Sequence, residues 1–154
     1  MTRDSPYLQS VALAVVLLLA ACASTPQASR ERDAEGKEFV THPGASTLYV
    51  YRSPFNNTED SVLYVDRRLI GSTLPGAYFR IDAVPGTHTL HGNGLDLGDM
   101  TIETRPGQLY FIELAVIAGH SHFRLVPPAL GRKTVAACCA LLENWAPGQR
   151  PLLR

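Results

Sequence analysis

Two short runs in this sequence bring together side chains able to do chemistry. His120-Ser121-His122 sets two imidazoles two residues apart. In an extended strand alternate side chains share a face, so both rings would point the same way. Imidazole is a common ligand of Zn²⁺ and Cu²⁺, and His88 and His91 are further imidazoles that a sheet would bring near. The preceding Ala118-Gly119 reads as a loop, however, and no cysteine or carboxylate stands at ligand spacing. Exposed loop histidines are therefore the expectation, and a metal site the alternative. Cys138-Cys139 is the second run. Adjacent cysteines bridge only through a strained ring that a regular helix does not accommodate. Both fall on an apolar stripe, so they are expected as small buried hydrophobes.

Recognisable catalytic motifs are missing. Gly119-His120-Ser121-His122-Phe123 lacks the last glycine of a nucleophile elbow, and Gly131-Arg132-Lys133-Thr134 lacks the full phosphate loop. The carboxylates between Asn93 and Asp99 do not have calcium-loop spacing. No catalytic residue, metal or cofactor is expected. The chain reads as a non-catalytic binding or structural module. A small-ligand or metal-binding module using His120 and His122 is the alternative, and an enzyme of unrecognised type comes third.

A third reactive group, Cys22, has a more specific setting. An apolar run over residues 11–21 contains no charge, Gly or Pro. Eleven helical residues at ~1.5 Å each fall well short of a bilayer core of ~30 Å, but they suit the core of a secretory signal. The run closes in Leu19-Ala20-Ala21-Cys22, which looks like a bacterial lipobox. Small side chains admit the peptidase between Ala21 and Cys22, and the thiol is the nucleophile that takes diacylglycerol. Residues 1–21 are thus expected as a signal peptide and Cys22 as the acylated, palmitate-carrying end. Ala23 follows, where Asp would favour inner-membrane retention. The lipobox resemblance therefore implies the outer membrane, facing the periplasm, with an envelope protein or glycan as possible partner. Residues 23–38 are polar and without apolar periodicity, and residues 22–44 are expected as the acylated cysteine and a flexible tether. The 15 residues from 23 to 37 alone would have an r.m.s. reach of about 20 Å.

Whole-chain arithmetic agrees. The 154 residues carry Lys+Arg 14 against Asp+Glu 14, so no basic excess points to nucleic acid. Loss of Arg3 and Asp4 with the signal leaves the balance at zero. With 45% hydrophobic and 18% charged residues the chain is a folded one, and three cysteines are too few for a disulfide scaffold.

The elements that must position these groups read mainly as strands. Residues 46–52 are apolar on both faces, as in a central strand. Residues 62–66 and 69–72 form two arms of a hairpin. Phe79, Ile81 and Ala83 alternate with Tyr78, Arg80 and Asp82. Pro85-Gly86 leads into 87–90, Pro106-Gly107 separates 101–104 from 109–116, and 123–126 is a last strand. About seven strands in a small antiparallel β-sandwich are expected over residues 45–145. One helix is expected near the end, with Val135, Cys138, Cys139 and Leu142 as its stripe and Asn144 and Pro147-Gly148 as its stop. Residues 146–154 are left as a tail. Tyr49 and Tyr51 share a face that Tyr64 and Tyr78 are placed to join. Core filling is the first reading of these rings, and an aromatic binding patch the second.

Several of these segments, in order, resemble an uncharacterised bacterial lipoprotein family, domain of unknown function family 2846. They are Asp33-Ala34-Glu35-Gly36-Lys37-Glu38-Phe39, Tyr49-Val50-Tyr51-Arg52, Val65-Asp66-Arg67-Arg68-Leu69-Ile70-Gly71, Tyr78-Phe79, Pro85-Gly86-Thr87-His88 and Pro106-Gly107-Gln108-Leu109-Tyr110-Phe111. The middle section is also similar to a PEGA-type module. Both patterns place Gly where this chain has Arg67, and a type I′ turn would hold that residue at positive φ. The resemblance implies a periplasm-facing lipoprotein domain and assigns no catalytic or binding residue.

Overall fold

The computed structural model describes residues 25–56, 59, 61–92 and 98–143. The lipobox with Ala21 and Cys22, the 93–97 stretch, the expected helix stop and the 146–154 tail lie outside them. The described chain runs α1 (Arg30–Gly36), β1 (Ser46–Arg52), β2 (Ser61–Val65), β3 (Arg68–Thr73), β4 (Ala77–Ala83), β5 (Gly86–His91), β6 (Met100–Thr104), β7 (Leu109–Ile117), β8 (His120–Val126), α2 (Pro128–Cys138) and β9 (Ala140–Leu141).

These strands make two sheets, ordered β8-β7-β1-β4-β9 and β3-β2-β5-β6. The mainly β fold agrees with expectation, with nine strands where about seven were counted. It is not purely antiparallel. β1 pairs parallel with β7, and β4 pairs parallel with β9. Parallel neighbours need a long crossover rather than a tight turn. One crossover is the stretch of chain between β1 and β7, and the other passes through α2.

Between the sheets lies one core, with Leu48 and Val50 of β1, Leu63 and Val65 of β2, Phe79 and Ile81 of β4 and Ile112 and Leu114 of β7. The opposite face of the five-stranded sheet carries a second core, with Tyr49, Tyr51, Tyr78, Phe111, Val126 and Val135. β1 is therefore buried along its whole length, as a strand covered on both faces must be. Tyr78, which alternates along β4 with the inward Phe79 and Ile81, is buried because this helical layer covers the second face, in agreement with its reading as a core ring.

Residues 25–44 do not form the flexible tether their composition suggests. Thr25 is only 3% exposed, and its hydroxyl accepts the Ser72 N–H at 2.7 Å. Gln27 bridges Leu142, Ala28 N–H donates to Leu141 O at 2.8 Å, and Glu143 N–H donates to Pro26 O at 2.8 Å. Ser29 then caps α1 by accepting from Arg32 N–H. A seven-residue polar helix has no apolar stripe to betray it. It is held through its backbone, where Tyr49 Oη donates to Gly36 O at 2.6 Å, and through Asp33 Oδ1, which accepts Leu141 N–H at 2.9 Å.

The C-terminal helix begins and ends earlier than its apolar stripe suggests. Pro128 occupies the first turn, where a missing N–H costs nothing. The helix stops at Cys138, Cys139 is extended at φ −124°, and Leu142 belongs to the bridge with Gln27. Hydrogen bonding along β4 claims the residues that would have made the last turn.

At the β2–β3 turn, Asp66 has φ 51° and Arg67 φ 63°. Both left-handed values are those of a type I′ turn, so Arg67 does stand in glycine's place. Asp66 holds the turn. Its Oδ1 accepts Thr89 N–H at 2.9 Å, and its Oδ2 lies 2.6 Å from His88 Nδ1.

Candidate functional site

β8 starts at His120, directly after a two-residue turn at Ala118 and Gly119 with φ 51° and 78°. The histidines are thus on a strand rather than in a loop, which corrects the sequence expectation. His120 stands opposite Ile117 and His122 opposite Ala115. Both are exposed on one face, while Ser121 between them turns inward to Ser61 at 2.8 Å. Among the described residues, no group of three or more His, Cys, Asp and Glu could hold a metal ion. His88 and His91 do not join the pair. His88 is buried between Asp66 and Val84 O, and His91 stacks on Tyr64 with centroids 4.7 Å apart.

Cys138 and Cys139 form a disulfide, which corrects their reading as buried thiols. The reason is local: the helix ends between them, so Cys139 leaves helical geometry and the adjacent-residue ring closes at the helix end. Cys139 Sγ rests 3.7 Å from Arg52 O, on the inner side of the second core.

The tyrosines divide. Tyr49, Tyr51 and Tyr78 are core, and Tyr64 belongs to the other sheet. Tyr49 stacks on Phe111 at 5.0 Å and on Tyr78 at 5.8 Å. Phe39 closes the cluster edge-on to Phe111, with the Arg132 guanidinium over its ring at 5.4 Å. Burial pushes the Tyr49 phenol up to about 12 and raises those of Tyr51 and Tyr78.

Arg52 escaped sequence reasoning. It is 1% exposed at the end of β1, and its Nη1 donates to Thr73 O at 3.1 Å and Glu59 O at 3.0 Å. A basic residue closing a strand that is apolar on both faces is the signal that could have marked it. Its bonds tie the mouth of the sandwich, joining the end of β1 to the end of β3. Thr25 gave no signal at all. Its burial depends on the backbone of β3, and Gly71 leaves it room.

Among the described residues the predicted candidates stay apart, with His120 and His122 on β8, His88 and His91 on β5 and the cysteine pair at the end of α2. What the structure does assemble is a seam, where Thr25, Ser72 on the β3 edge and Glu143 beside Pro26 are held by hydrogen bonds. Fold and site define a small β-sandwich domain flanked by a helical layer and sealed by its own N-terminal segment.

An uncharacterised protein of Haemophilus influenzae is 31% identical to the chain over 131 residues, which is 80% of this chain and 78% of that protein. The chain belongs to the family of that protein. No family model matches the chain, so the resemblance to domain of unknown function family 2846 stands on the quoted segments alone.

Proposed function

We propose that this protein is an outer-membrane lipoprotein, cleaved between Ala21 and Cys22 and acylated on Cys22, whose sandwich serves as a non-catalytic binding or structural module at the periplasmic face. The observation that carries the reading is Leu19-Ala20-Ala21-Cys22 at the end of an uncharged eleven-residue apolar run. Two or three acyl chains, at ~0.8 kcal/mol per buried methylene, suffice for stable anchoring where one chain does not. An envelope protein or a glycan is the partner class for such a module.

Expression with labelled palmitate tests the reading. The wild-type protein takes up label and fractionates with outer membranes, and Cys22→Ser stays as an unlabelled precursor. Label on the Cys22→Ser protein, or a wild-type protein recovered unlabelled in the soluble fraction, would overturn the proposal.

A further inference from the structure

We infer that the side of the sandwich sealed by residues 25–28 is the face that the domain lays against a phospholipid surface. The inference rests on the acylation of Cys22 proposed above. It starts from chain length. Only Ala23 and Ser24 separate Cys22 from Thr25. Three Cα–Cα steps of ~3.8 Å span at most about 11 Å.

Thr25 is not a loose end. Its hydroxyl accepts Ser72 N–H at 2.7 Å on the β3 edge of one sheet. The residues just after it pair with 141–143 along β9 at the edge of the other sheet. Both sheets are thereby fixed to the point where the chain leaves for the membrane. β8 lies four strand spacings from β9 in the five-stranded sheet, or about 19 Å at ~4.8 Å each. The link to the acyl chains is shorter than that half of the domain is wide, so one side stays at the lipid and the β8 edge stays away from it.

Surface chemistry on this side fits a headgroup layer. Pro26 and Gln27 are exposed, and Leu74, two residues beyond Ser72, is a 38% exposed apolar side chain. The carboxylate of Glu143 is paired with Arg32, which removes a bare negative charge that anionic lipid would repel.

The mature acylated protein, reconstituted in phosphatidylethanolamine and phosphatidylglycerol vesicles with brominated acyl chains, provides the test. Trp145 is the single tryptophan of the chain, so its replacement leaves a background without tryptophan emission. In a Trp145→Phe background, Gln27→Trp should be quenched, and His122→Trp on β8 should keep its emission. A spacer of Gly and Ser residues inserted after Ser24 should remove the difference between positions 27 and 122. Equal quenching at the two positions in protein of verified acylated mass would overturn the inference and leave the lipoprotein reading intact. Protein with an unmodified Cys22 that fails to float with the vesicles would overturn both.

Discussion

Gly131 and Gly44 make a controlled pair at the scale of single residues. A Cβ on Gly131 would fall inside contact distance of the Phe111 side chain, where α2 meets β7, whereas one on Gly44 would meet nothing. Overpacking at such a contact costs about 1–3 kcal/mol. Gly131→Ala should therefore lower the thermal midpoint clearly and Gly44→Ala should leave it unchanged, by calorimetry on the two variants. The buried phenols add a pH dependence. A folded Tyr49 value of about 12, against ~10 when unfolded, means that the fold favours the protonated phenol. That contribution is fully present below pH 10 and is lost as pH rises through about 12. Phenolate absorbance followed through an alkaline titration should show a late group of tyrosines that ionise together with unfolding. A single smooth step near the free value would contradict the buried cluster. At this scale the sequence was most deceptive about Cys138 and Cys139, because the bond between them depends on where a helix stops.

Elements were legible in proportion to how much of their stability is local and apolar. β1 is readable from 46–52 because both of its faces are apolar or aromatic, and the 66–67 turn because its flanking strands alternate. β8 is harder. His120, His122 and Arg124 are exposed on an edge, and its assignment depends on seven register pairs with β7 rather than on its own pattern. α1 and the 25–28 segment are illegible for the opposite reason. Their side chains are polar and their partners, Ser72, Leu141 and Glu143, are distant in sequence. Their contribution can be measured directly. A chain starting at residue 38 removes the cap over Tyr49 and Tyr78 and the seal along β3 and β9. It should unfold at a lower denaturant concentration than a chain starting at residue 23. Equal midpoints would show that 23–37 act as a free tether after all. Thr25 likewise becomes visible only once two sheet edges lie beside it.

For the whole molecule, these residues and elements describe two packed sheets with residues 25–28 fixed across an edge of each. Of the three cysteines of the chain, Cys138 and Cys139 form a disulfide at the end of α2, and Cys22 is the one proposed to carry lipid. The proposed cleavage removes Arg3 and Asp4 together and leaves the net charge at zero, so the proposed anchoring would depend on acyl chains rather than on a field of one sign. Washing membranes in high salt should accordingly leave the protein bound, as read by immunoblot of the pellet, and release by salt would point to an electrostatic attachment in place of the lipid one. Intact mass spectrometry of the detergent-extracted protein reads the proposed processing and the disulfide together. The expected species begins at Cys22, carries diacylglycerol and an amide-linked acyl group, and lacks two hydrogens across Cys138 and Cys139. A chain that retains residues 1–21, or one that begins elsewhere with Cys22 absent or unmodified, would contradict it.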